Sequence, residues 1–215
     1  PCVTQLSMMV IQIAHNNVLT HYGKQSLYRP QIPLACVGVI TKVNSILIMI
    51  MVGLAQGAQP IVGFNYGAKN YTRVKETLKK NITAVVLISF FAFLSFQLLP
   101  RQITSIFGNG SKEYYDFASQ YFRVFLFFTF INGLQPIAAN FFTSIGKATK
   151  GLTVSVTRQL VFLLPLILIL PIFFGIDGVL YAGPIADFVA FVLTVVFLVQ
   201  QVRLMNHAIK NKEAI

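Results

Sequence analysis

The apolar residues of this chain gather into six long blocks, and nearly all of its charge lies in the short breaks between them. A soluble helical domain needs charge along the outer face of each helix. Here 55% of residues are hydrophobic, 11% are charged and the mean hydropathy is +0.70, so the solvent around the blocks is lipid. Crossing a hydrocarbon core of roughly 30 Å takes about 20 helical residues, and the blocks are continuously apolar rather than alternating, which argues against a barrel. The expected spans are residues 3–19, 34–66, 82–99, 117–145, 152–174 and 179–202. The fold class is therefore an all-α integral membrane protein, a single bundle of six transmembrane helices over residues 1–215.

The net charge is +11. The basic residues flank the apolar blocks, a pattern set by membrane lipid and orientation rather than by nucleic acid. The breaks after the second and fourth blocks, with the tail, hold ten Lys and Arg (Lys69, Arg73, Lys75, Lys79, Lys80, Lys147, Lys150, Arg203, Lys210, Lys212). The opposite breaks hold four (Lys24, Arg29, Arg101, Lys112). This asymmetry puts the C-terminal tail in the cytoplasm and the protein in the cytoplasmic (inner) membrane, as a multi-pass protein. Arg158, near an inner helix end, is expected to snorkel to the headgroups. Cys2 and Cys36 fall near opposite membrane faces and are expected to pack rather than bridge. The chain opens at Pro1 without a methionine or a basic leader, and reads as a piece of a longer protein.

No nucleophile–base set, metal-ligand spacing or phosphate loop occurs, so no enzyme and no cofactor are expected. Charges inside spans are costly and usually face an interior. Lys42, Arg123 and Asp187 each lie eight or nine residues from an outer helix end, roughly 12–14 Å deep at 1.5 Å per residue. Asn44 is close by, and His15, Asn16 and Asn17 occupy the outer half of the first, most polar block. This layer is the candidate for a substrate cavity or coupling site. Asp187 is the only carboxylate inside an expected span: it forms a structural ion pair, with Arg123 or Lys42 as candidate partners, or it carries a proton. Phe127, Phe128 and Phe141 are candidates to line a cavity with their π faces.

Gly57-Ala58-Gln59-Pro60-Ile61 recurs as Gly133-Leu134-Gln135-Pro136-Ile137, late in two outside-to-inside blocks. The repeat reads either as coincidence in a biased composition or as two helices with a matched bend at Pro60 and Pro136 beside Gln59 and Gln135, and Gln56, Gln59 and Asn65 read either as lining a bendable gate or as tight packing.

The stretch Gly53-Leu54-Ala55-Gln56-Gly57-Ala58-Gln59-Pro60-Ile61-Val62-Gly63-Phe64-Asn65-Tyr66-Gly67-Ala68-Lys69-Asn70, followed by Arg73-Val74-Lys75, resembles a helix end in the C-terminal half of MATE (multidrug and toxic compound extrusion) transporters. Phe141-Phe142-Thr143-Ser144-Ile145-Gly146-Lys147-Ala148 resembles a second family segment, with Thr143 where the family often has Gln. Arg158-Gln159, Leu164-Pro165, Leu170-Pro171 and Phe174-Gly175-Ile176-Asp177-Gly178-Val179 resemble a third. The nearest branch looks MepA-like. The resemblance implies one lobe, the C-terminal one, of a twelve-helix, two-lobe antiporter that exports small cationic, amphipathic drugs in exchange for protons or sodium. The missing N-terminal six-helix lobe of the same chain is then the principal partner. Some members use acidic residues in the first and fourth helices of this lobe for the coupling ion. This sequence has none in its first block and only Asp116 at the mouth of the fourth, which points to a coupling site outside the sequence. A flippase for lipid-linked substrates and a non-transporting membrane subunit are the alternatives.

Overall fold

The computed structural model describes residues 2–23, 31–107 and 110–213, and every regular element among them is helical. Lys24, Arg29 and the Gly108-Asn109 pair between the third and fourth blocks lie outside these residues, as does the side chain of Cys2. The first block forms α1 (Cys2–Gly23) and the second forms α2 (Gln31–Gly67), with Pro33 in the first turn and Pro60 inside. Gly67, the last residue of α2, stays out of the left-handed region. The chain reverses at Lys69 instead, with φ 55°, and Asn70 caps α3 (Tyr71–Leu98) by accepting from the Arg73 N–H.

Pro100 opens the short α4 (Pro100–Ile106) at a position that loses no intrahelical donor. Ser111 caps α5 (Lys112–Phe125) by accepting from the Tyr114 N–H. The fourth block, expected as one run, is broken. After α5 come a four-residue α6 (Thr129–Asn132) and α7 (Leu134–Ser144), with a bend of 47° between the halves. The bend lies at Leu126–Phe128; Gly133, between α6 and α7, packs so closely on α3 that a Cβ there would collide with Val85 and Ser89.

The fifth block begins at Ala148 rather than Leu152. It runs as α8 (Ala148–Val156), a π-helical stretch (Thr157–Leu163) and α9 (Leu164–Phe174). Pro165 has no N–H to donate and crowds the carbonyl four residues earlier, and the ladder widens just upstream of it: Leu164 N–H donates to Gln159 O, five residues back. Gly175, at φ 59°, turns the chain into α10 (Ile176–Glu213). Gly178 lets the two arms cross closely, since a Cβ there would lie 2.5 Å from the Leu170 carbonyl oxygen.

The core centres on Phe117, Tyr121, Phe122, Ile137 and Phe142, while Phe64, Phe173 and Ile106 stand out from the surface at 74–80% exposure. Large apolar side chains so exposed are stable only in lipid or under a partner. Among the described residues four helices are long and apolar enough to cross a membrane: α2, α3, α8–α9 and α10. The bent α5–α7 pair makes a fifth. The sequence leads one to expect six spans. α1 is long enough at 22 residues, but Gln12, His15, Asn16 and Asn17 hold its hydropathy down. The chain is an all-α, multi-pass membrane protein.

Candidate functional site

Asp187 is 3% exposed, on the inward stripe of α10 with Gly183, Ala186 and Ala190. Three donors hold its two oxygens. Arg158 Nε donates to Oδ1 at 2.7 Å and a terminal guanidinium nitrogen to the same oxygen at 2.5 Å, while Asn132 Nδ2 donates to Oδ2 at 2.7 Å. Neither Arg123 nor Lys42 is its partner. Both are exposed and make no salt bridge among the described residues. Residue counts give their depth, and depth does not fix which face of a helix a residue occupies. The snorkelling expected of Arg158 is also overturned. It lies ten residues beyond the true helix start, roughly 15 Å in, and it turns inward to the carboxylate.

This triad joins irregular backbone on two sides. Arg158 belongs to the π-helical stretch, and Asn132 is the last residue of α6, directly before Gly133. A buried carboxylate with both oxygens engaged is held in place by its neighbours and fixes them in turn.

His15 is buried one layer away. Its Nε2 lies 3.0 Å from Tyr121 Oη, and its ring faces Phe125 at 6.0 Å between centroids. Phe125 in turn packs on Gly183, one helical turn before Asp187 on α10. Asn16 and Asn17 point the other way and are exposed, and Asn44 is half-buried. The expected layer therefore resolves into two internal groups, His15–Tyr121 and Arg158–Asp187–Asn132, plus outward-facing Asn16, Asn17, Lys42 and Arg123. Of the candidate cavity aromatics, Phe141 is buried in the core, Phe128 is half-buried and Phe127 is exposed.

The helices that carry the repeated segments meet. α2 packs along α7, Gln59 Nε2 donates to Asn140 Oδ1 at 2.5 Å, and Gly63 approaches the Ser144 carbonyl, with an added Cβ 3.3 Å from that oxygen. Asn140 Nδ2 donates to the Pro136 carbonyl, and Asn65 Nδ2 to the Ile61 carbonyl. Gln56 and Pro60 are exposed, and Pro136 is half-buried. Gln135 is buried, and its Nε2 has no hydrogen-bond partner among the described residues; the same holds for Gln159 Oε1. Sequence reasoning missed Asn132, Tyr121, Asn140 and the contact between Lys147 Nζ and the buried Gln201 Oε1, 2.7 Å long. An Asn before a glycine break and a Tyr on the strongly amphipathic α5 were the available signals. Among the described residues no group of three or more His, Cys, Asp or Glu can hold a metal.

The MatE family model matches residues 2–169. The chain is 23% identical over 196 residues to "Multidrug export protein MepA" of Staphylococcus haemolyticus, covering 91% of this chain and 41% of that protein. It is 22% identical over 172 residues to the protein of the same name in Staphylococcus aureus strain MSSA476, covering 80% of this chain and 36% of that one. Among solved structures it is similar to the MATE multidrug transporter DinF-BH, at TM-score 0.78 and 35% identity over 92% of this chain and 43% of that one. It also overlays the outward-facing conformation of a multidrug resistance MATE family transporter at TM-score 0.84 and 18% identity, covering 95% of this chain and 45% of that one. The chain thus spans less than half the length of these relatives. It belongs to the MatE family of membrane transporters, and not to a family of enzymes.

Proposed function

We propose that this chain is the C-terminal six-helix lobe, residues 1–215, of a two-lobe antiporter of the MepA-like branch. It exports small cationic, amphipathic compounds across the cytoplasmic membrane in exchange for protons or sodium, with the tail of α10 in the cytoplasm. The family match over most of the chain carries this reading. α1 supplies the sixth span. It packs against α2, α9 and α10, and its 22 residues give roughly 33 Å of helix, enough for the hydrocarbon core. The fold overlays an outward-facing family structure and an inward-facing one nearly equally, at TM-scores 0.84 and 0.81. This supports a lobe that keeps its internal packing while it rocks against the other.

In this reading Asn16, Asn17, Lys42 and Arg123 face the space shared with the N-terminal lobe, where substrate passes. Asp187 braces the lobe interior, because Arg158 and Asn132 already occupy its oxygens. The coupling carboxylates then belong to the other lobe. Gln59 and Asn140 tie the cytoplasmic ends of α2 and α7 together beneath the gate. The intact mass of the native membrane protein tests the lobe reading: a mass near twice 23.9 kDa is expected, and one near 23.9 kDa overturns it. Competition separates substrates. A cationic dye is expected to compete with the transported compound. Competition by a lipid-linked sugar alone would make the protein a flippase.

A further inference from the structure

A groove of about 630 Å³ runs between α2 and α3 near their shared turn, and a second of about 590 Å³ continues it towards Asn70. Ile61 and Arg73 line both, so the two form one channel along the outer face of α2. One wall is apolar, with Gly53, Gly57, Ile61 and Phe64, the last two 47% and 79% exposed. The other carries Arg73, Glu76 and Lys80. Gly53 and Gly57 leave the groove open, because a Cβ on either would meet nothing within 4 Å.

The charges are not equivalent. Lys80 Nζ is held by Glu76 Oε1 at 2.8 Å, whereas Arg73 makes no salt bridge among the described residues. Arg73 lines the groove with Ile61, Phe64 and Asn65 at the end of α2 nearest the turn, where the proposed orientation puts the inner-leaflet phosphates. A guanidinium matches phosphate oxygens in a bidentate fork. The apolar wall below it runs towards the membrane centre, as an acyl chain does.

We infer that the α2–α3 groove is a binding site for one anionic phospholipid, with its phosphate on Arg73 and an acyl chain laid along Gly57 and Ile61. A helix from the rest of the protein fits less well, since it would have to bring a carboxylate to Arg73 beside the Glu76–Lys80 pair. The inference rests on the proposed orientation, with the α2–α3 turn at the inner leaflet, but binding in detergent does not depend on orientation or on transport.

The test takes the full-length protein in detergent, exposes it to micelles containing phosphatidylglycerol or phosphatidylcholine, and counts retained lipid by native mass spectrometry. Phosphatidylglycerol is expected to be retained preferentially. Arg73→Gln is expected to lower its retention about fivefold, the effect of one basic residue at an anionic surface. Lys79→Gln, on the same helix but outside the groove, is expected to leave retention unchanged. Gly57→Leu is expected to abolish it by filling the groove without disturbing the fold. Equal losses in Arg73→Gln and Lys79→Gln would mean diffuse attraction and overturn the site. Undiminished retention in Gly57→Leu, or a disulfide between Gly57→Cys and a cysteine placed in the rest of the protein, would overturn it as well.

Discussion

Arg158 and Asp187 lie 29 residues apart and meet in the interior, with Nε donating to Oδ1 at 2.7 Å. Their side chains are 18% and 3% exposed, so the pair is shielded from both lipid headgroups and bulk water. Asn132 takes the second oxygen and brings the break before Gly133 into the same network. One carboxylate therefore tethers the π-helical stretch and the bent fourth span to α10.

Removing one member of a buried pair leaves a charge without compensation and costs about 3 kcal/mol or more. Asp187→Leu and Arg158→Met are each expected to lower the melting temperature and membrane level of the full-length protein strongly. The double variant is expected to recover most of the loss. Single variants as stable as the parent would show that the pair braces nothing.

Tyr121→Phe removes the partner of His15 Nε2 and nothing else from a fully packed site. An unsatisfied buried polar group costs about 1–3 kcal/mol. The melting temperature is expected to fall, and His15→Phe in the Tyr121→Phe background is expected to restore part of it. An unchanged melting temperature in Tyr121→Phe would contradict the pairing.

Gly133, between α6 and α7, fits against α3 because it has no side chain. Gly133→Val drives a branched group into Val85 and Ser89 of α3, and overpacking of this kind costs about 1–3 kcal/mol. Thermal unfolding should show that loss, with partial rescue by Val85→Ala. A variant that melts with the parent would mean that Gly133 is not packed as described.

The link between Gln59 and Asn140 joins the two helices that carry the repeated segments. In a double-mutant cycle with Gln59→Ala and Asn140→Ala, a coupling of about 0.5–1.5 kcal/mol is expected from one hydrogen bond. Strict additivity in thermal melts would remove the link.

The helical class was legible because hydropathy acts on runs of about 20 residues, a scale that a sequence displays directly. What failed was angular. Depth alone placed Lys42 and Arg123 inside, yet the buried stripe of α2 runs through Cys36, Ile40, Leu47, Met51 and Ala55, and Lys42 lies off it. Asp187 shares its face with the buried small residues Ala182, Gly183, Ala186 and Ala190, a stripe that depth counting leaves unread. Arg158 was misplaced because the polar first turns of its helix, Ala148 to Gly151, do not look apolar. Counting from the Gly146-Lys147 break would have moved it a full turn deeper. The π-helical widening has only Pro165 as its trace in the sequence, and the break at Leu126–Phe128 has none, since those residues read as continuous span.

The most direct test is flux. Full-length protein is reconstituted into vesicles loaded with a fluorescent cationic dye, and a proton or sodium gradient is imposed in the opposite direction. Dye movement that follows the gradient, stops when an ionophore dissipates it and survives the conservative exchange Lys42→Arg is expected. Dye that stays put under both gradients, in protein whose fold is intact by thermal melting, would contradict the assignment of this chain to a drug-exporting antiporter.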